Sequence, residues 1–155
     1  MIVDLFEMAE NLPATQRLLG LDLGTKTIGL ALSDVSLIIA TPLETIQRVK
    51  FTQDAEALLK IVARHDVGGL VLGYPLNMDG SKGPRAQASE SFAHNLARLS
   101  DLPVALWDER LSTVAVTRTL LEADTSRKRR AEVVDKMAAG YILQGALDRL
   151  GFRGS

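Results

Sequence analysis

Apolar and polar positions change period several times along the chain, and each change predicts an element. Residues 17–24 read Arg-Leu-Leu-Gly-Leu-Asp-Leu-Gly, a buried strand interrupted only by Asp22. Residues 28–33 (Ile-Gly-Leu-Ala-Leu-Ser) form a second strand, and the turn-like Gly24-Thr25-Lys26-Thr27 between them predicts a hairpin. A third strand is expected within 38–47, interrupted near Pro42. Over 52–65 the period lengthens, and Ala55, Leu58, Leu59 and Val62 fall on one face of a helix. Gly69-Leu70-Val71-Leu72-Gly73 is a short continuous apolar run, the kind of strand covered on both faces. Tyr74 to Gly83 is rich in Pro, Asn, Asp, Gly and Ser and is expected to be a mobile loop. Pro84 then opens a helix to about Leu99. Residues 103–107 make another strand, a helix covers roughly 113–123, and after a basic turn a long last helix runs from about 131 to 149.

Three strands in hairpin connection, then helices and strands in alternation, predict an α/β fold: a five-stranded mixed sheet flanked by helices on both faces. The 155 residues suit one domain, placed at 17–150, with 1–16 as an N-terminal extension in which Pro13 stops any helix. Zero cysteines excludes disulfides and thiolate metal sites. No apolar stretch approaches the roughly 18 residues of a membrane span. The first ten residues carry Asp4, Glu7 and Glu10 and no base, unlike a signal peptide. No membrane partner and a cytoplasmic location are therefore expected. A net charge of −1 makes the whole chain no polycation, so any attraction for nucleic acid has to be local. Ser126-Arg127-Lys128-Arg129-Arg130 supplies such a cluster, with Arg118 one helix earlier.

Three acidic placements stand out. Alternation along the first strand puts Leu18, Gly20 and Asp22 on one face, and a carboxylate there is costly unless paired, hydrogen-bonded or bound to metal. Gly20, two residues before it, leaves space above the sheet. Asp108-Glu109 ends the last strand, where sites of open α/β sheets gather. On the last helix Val134, Ala138, Tyr141 and Gly145 form one row, and Asp135 falls in the row of Ala139, Ile142 and Ala146 beside it. Each has a structural alternative: Asp135 as a helix-start aspartate favoured by the dipole, Glu109 as the ion-pair partner of Arg110. Convergence of all three would make an all-oxygen site suited to Mg²⁺ or Mn²⁺ and to two-metal phosphodiester hydrolysis. His65 and His94 lie far from these motifs, which argues against zinc, and no P-loop is present.

The motifs resemble those of the bacterial YqgF/RuvX family. Gly20-Leu21-Asp22-Leu23-Gly24-Thr25-Lys26-Thr27-Ile28-Gly29 is similar to its opening motif. Gly73-Tyr74-Pro75-Leu76-Asn77-Met78-Asp79-Gly80-Ser81, Asp108-Glu109-Arg110-Leu111-Ser112-Thr113 and Val134-Asp135-Lys136-Met137-Ala138-Ala139 follow in the family's order. Tyr74 departs from it, standing where an aliphatic residue is more usual, and residues 1–16 are not part of the resemblance. The resemblance implies a ribonuclease H-like fold related to the resolvase RuvC. It further implies a metal-dependent nuclease processing the 5′ end of pre-16S rRNA in ribosome biogenesis. Asp22, Glu109 and Asp135 would be its catalytic metal ligands for Mg²⁺ or Mn²⁺, with Lys26, Asn77 and Arg110 as substrate contacts.

Other readings stay open. A Holliday junction resolvase acting on four-way DNA junctions would need two sites in a homodimer. A non-catalytic RNA-binding assembly factor would gain nothing from three acids facing phosphates. An ATPase of the actin and sugar-kinase superfamily shares an Asp-x-Gly-Thr turn, but that fold needs two such domains.

Overall fold

The computed structural model describes residues 1–112 and 127–154, with side chains of the last helix from Lys136 to Gly151. The helix expected over 113–123, Arg118, and the side chains of the basic cluster and of Asp135 lie outside the described residues. Helix α1 (Leu5–Glu10) precedes strands β1 (Arg17–Leu23), β2 (Thr27–Ser33) and β3 (Ala40–Gln47). Helix α2 (Phe51–Arg64), strand β4 (Val67–Tyr74), helix α3 (Pro84–Leu99) and strand β5 (Val104–Asp108) follow. A 3-10 turn (Glu109–Leu111) and helix α4 (Arg127–Gly154) complete the described elements. The residues from Arg127, expected to be a turn, thus belong to a helix, in keeping with the good helix propensity of Arg and Lys.

The five strands form one mixed sheet in the order β3-β2-β1-β4-β5. Short turns make β1, β2 and β3 antiparallel, whereas crossovers through α2 and α3 make β1, β4 and β5 parallel. The interruption expected near Pro42 is a bulge: the register passes from Leu30↔Glu44 to Ala31↔Pro42 and skips Leu43. Proline is tolerated there because β3 lies at the sheet edge, where a missing N–H costs no ladder bond.

Each face of the sheet carries its own core. Leu19, Leu21, Ile28, Leu30, Leu70 and Leu72 pack against α2 and α3 through Ala55, Leu58, Phe92 and Leu96. On the other face Leu18, Ala31, Val71, Ala105 and Trp107 meet Ala139, Ile142, Leu143 and Leu147 of α4. The buried stripe of α4 therefore follows the row of Ala139 and Ile142, while Tyr141 is 39% exposed. Aliphatic side chains bury there at no polar cost, and the tyrosine keeps its hydroxyl end toward water.

Residues 1–16 are woven into this second core. Asp4 caps α1, its carboxylate accepting from the Phe6 and Glu7 amides at 3.0 and 3.3 Å. Leu5 and Met8 are buried under α4 and β5. Ile2 forms a parallel bridge with Val104, with Val3 N–H donating to Val104 O at 2.9 Å and Val104 N–H to Met1 O at 2.8 Å. The extension thereby covers the β5 edge, which would otherwise present unpaired backbone groups.

Candidate active site

Asp22 sits near the end of β1 on the face crossed by α4. Its partner on β2 is Gly29, and the parallel register Gly20↔Val71, Leu21↔Leu72 brings Gly73 level with it on β4. Glycines on both sides leave its carboxylate room within the sheet face, where it is only 1% exposed. The hairpin turn after it is closed by Gly24 N–H donating to Thr27 O at 2.9 Å. Arg48 braces that turn, donating from Nη1 to Gly24 O at 2.5 Å and from its amide to Lys26 O at 2.9 Å. Lys26 projects from the braced turn as an exposed cation.

Adjacent acids at the end of β5 part company, as strand alternation requires. Asp108 turns outward, accepting from Arg110 Nε at 3.1 Å, Arg110 Nη2 at 2.8 Å and the Arg110 amide at 3.0 Å. The Arg110 fork holds the Asp108 carboxyl below its ordinary range, against the opposing effect of burial. Glu109 turns inward and is 4% exposed. Its carboxylate lies directly over Gly73: a methyl group there would come within 2.6 Å of Glu109 Oε2. Asp22 and Glu109 thus occupy neighbouring positions of one sheet face, and the proposed pairing of Glu109 with Arg110 is replaced by Asp108–Arg110. Ser112 supports the turn, its amide donating to Glu109 O at 3.3 Å.

Helix α4 roofs the same region. A methyl group on Gly20 would lie 2.7 Å from Leu143 Cβ and 3.0 Å from Ala139 O, and one on Gly73 would lie 2.5 Å from Ile142 Cδ1. Asp135 belongs to this helix, four residues or about one turn before Ala139; its side chain is outside the described residues. Among the described residues no three His, Cys, Asp or Glu side chains gather into a metal-sized group, so the two acids brought together are Asp22 and Glu109.

The segment expected as a mobile loop is a hydrogen-bonded turn. Gly80 N–H donates to Asn77 O at 2.8 Å and Asn77 N–H to Ser81 O at 3.0 Å, while Asn77 Nδ2 donates to Ser81 Oγ at 2.9 Å. Gly80 adopts a φ of 88°, open to glycine at little cost, and Arg110 Nη1 donates to Met78 O at 3.4 Å. At the far end Lys82 Nζ lies 2.7 Å from Glu90 Oε1, which also accepts from the Tyr74 hydroxyl. Burial and Glu90 push the Tyr74 hydroxyl up, and Lys82 holds Glu90 down. Asn77 and Arg110, proposed as substrate contacts, therefore spend hydrogen-bonding capacity on building this turn.

Sequence reasoning missed Arg85. From the first turn of α3 its Nη2 reaches within 3.6 Å of Asp22 Oδ1 and 3.5 Å of Leu23 O. Its position directly after Pro84 at the start of a helix was the available signal.

Comparison with known proteins agrees with this architecture. A family model described as "RuvX: Holliday junction resolvase" matches residues 16–149. A protein of Paramagnetospirillum magneticum is 72% identical over 147 residues, covering 94% of this chain and 95% of its own length. One of Paracoccus denitrificans is 66% identical over 146 residues, covering 94% and 92%. Both carry the name "Putative pre-16S rRNA nuclease". The solved structure of Thermus thermophilus RuvC in complex with a Holliday junction substrate superposes with a TM-score of 0.54 at 14% identity, covering 88% of this chain and 96% of that one. At that identity it shows the shared ribonuclease H-like fold.

Proposed function

The chain belongs to the RuvX family, and from that premise we propose that it is a divalent-metal-dependent nuclease whose substrate is the 5′ region of pre-16S rRNA. The family is one of phosphodiester-cleaving hydrolases, and the rRNA preference follows the name carried by the close relatives. The observation that carries the reading is the pair Asp22 and Glu109, two buried carboxylates on one sheet face, Glu109 over Gly73 and Asp22 level with that glycine on the neighbouring strand. Two acids held there fit hard cations, because the donor set is all oxygen. Asp22 and Glu109, with Asp135 from α4, would hold Mg²⁺ or Mn²⁺, which supply an activated water and charge stabilisation at the scissile phosphate when bound.

The remaining residues orient the strand. Lys26, exposed on the braced turn after Asp22, offers an ammonium to a phosphate. Arg110 fixes the 77–81 turn through Met78 O and Asp108, so its contribution is to hold that turn beside the acids. Among the described residues no helix is long and apolar enough to cross a membrane.

The test is cleavage by the purified chain, with Mg²⁺ or Mn²⁺, of a 5′-extended pre-16S rRNA fragment, alongside a four-way DNA junction and an Asp135→Asn variant. Trimming of the RNA that disappears in the variant is the expected result. Cutting of the junction alone moves the substrate to DNA. RNA binding that persists in EDTA, with no cleavage of either substrate, refutes the nuclease reading in favour of an assembly factor.

A further inference from the structure

We propose that Arg85 is the resident counter-ion of the acidic pair: a positioning residue that holds Asp22 in the metal-free protein and swings to a phosphate oxygen of the substrate when a divalent cation takes that carboxylate. The inference rests on the metal-dependent nuclease reading above.

Lys26 stands exposed on the turn after Asp22; among the described residues four further cations lie near the site, and their ion pairs distinguish them. Arg110 grips Asp108 through a fork, with Nη2 at 2.8 Å. Lys82 is paired with Glu90 at 2.7 Å. Arg48 reaches Asp54 at 3.9 Å and Gly24 O at 2.5 Å, behind the hairpin turn. Among the described residues, Arg85 is the cation whose ion pair is made with a carboxylate of the acidic pair.

The geometry of that pair is built for exchange. The shortest approach of the pair is 3.6 Å, from Arg85 Nη2 to Asp22 Oδ1, and the same nitrogen touches Leu23 O at 3.5 Å. Both distances exceed those of a committed charge-assisted hydrogen bond, about 2.7–2.9 Å. The two partners also differ sharply in burial, the Asp22 side chain being 1% exposed and that of Arg85 46%. Asp22 is fixed in the sheet, whereas the arginine is a long arm rooted in the first turn of α3, where Pro84 sets the backbone. A doubly charged ion competes for the fixed oxygen with more charge at shorter range, so the arm is the partner that moves. A guanidinium released there stays within reach of any phosphate bridged by the acids, and its planar fork matches two phosphate oxygens.

The experiment is calorimetric titration of Mn²⁺ into metal-free wild-type chain, Arg85→Met and Arg85→Lys, with thermal melts in EDTA and steady-state cleavage of the RNA fragment. With its competitor removed, Arg85→Met is expected to bind Mn²⁺ about two- to fivefold more tightly, the factor expected for loss of a half-exposed ion pair. Its metal-free form melts lower than wild type, and saturating Mn²⁺ closes the gap. Its KM for RNA rises while Mn²⁺ affinity improves, two opposite changes that a merely structural role does not produce, and Arg85→Lys falls between. Unchanged or weaker Mn²⁺ binding by folded Arg85→Met overturns the role of Arg85 and leaves the nuclease reading intact. Failure of wild type to bind Mn²⁺ overturns both.

Discussion

Replacing Gly73 by alanine separates catalytic geometry from stability. The new methyl group would stand 2.6 Å from Glu109 Oε2 and 2.5 Å from Ile142 Cδ1, whereas ordinary contact begins at 3.4 Å. Both groups must therefore retreat by about 0.8–0.9 Å, in accord with close packing that tolerates no overlap. Each is the free end of a flexible side chain, so the folding cost is of the order of 1–3 kcal/mol. The smaller entropy of unfolded alanine offsets about 0.4–1 kcal/mol of it. At ~2–4 °C per kcal/mol for a domain of this size, the melting temperature falls by only a few degrees. A carboxylate displaced by nearly 1 Å from its working position costs about 100-fold in rate. Gly20→Ala is the control. Its methyl group would meet Leu143 Cβ at 2.7 Å and the Ala139 carbonyl at 3.0 Å, atoms fixed to the α4 backbone. The helix itself has to lift, and Gly20→Ala should lose more stability than Gly73→Ala. Melts followed by circular dichroism, with kcat measured on the RNA fragment well below both transitions, give the two numbers. A Gly73→Ala enzyme that melts a few degrees low yet cleaves at the wild-type rate would remove Glu109 from the reaction centre.

Three further outcomes are expected. Glu109→Gln abolishes cleavage, and its metal-free form melts no lower than wild type because like-charge repulsion with Asp22 is relieved while the Arg85 contact persists; a large fall in EDTA would make Glu109 a structural residue. Asp108 and Glu90 are held below the ordinary carboxyl range by Arg110 and by Lys82 with Tyr74. Their contribution is whole above that range, about pH 4, and is lost as pH falls through the lowered folded values; Asp108→Asn or Glu90→Gln should flatten the acid limb of a melting-temperature profile, and curves parallel to wild type would contradict the assignment. Met8→Ala, at a residue 2% exposed beneath α4, should cost about 2–5 kcal/mol in urea unfolding, whereas an unpacked appendage would change nothing.

What could be read from sequence followed from local periodicity. The two-residue alternation of β1 placed Asp22 with Leu18 and Gly20, and α4 indeed crosses that face. The same alternation separated Glu109 from Asp108 at the end of β5. Strand pairing was legible because a short turn forces antiparallel neighbours and a helical crossover allows parallel ones. Contacts between distant segments left no such trace. Arg85 touches Leu23 across 62 positions, and no periodicity links the start of α3 to β1. Asp54 is buried on the otherwise apolar side of α2, where it accepts from the Val49 amide at 2.9 Å and lies 3.9 Å from Arg48 Nε, a brace on the preceding segment that the helical spacing concealed. The 74–83 segment has a loop's composition, but its own Asn77–Ser81 hydrogen bonds are joined by contacts to Arg110 and Glu90, which lie elsewhere in the chain.

The pairing of Met1 and Val3 with Val104 also dictates an order of assembly. These hydrogen bonds join the beginning of the chain to its fifth strand, and the α1 residues beside them pack on α4, made later still. Closing so long a loop has an entropic cost that few local contacts offset. Residues 1–10 are therefore expected to dock last, on a sheet already formed, and amide protection during refolding should reach Leu70 and Leu72 before Val3. Until then the β5 edge is open to other strands, so the interval before the N-terminus arrives is when this chain is most exposed to mispairing with its neighbours.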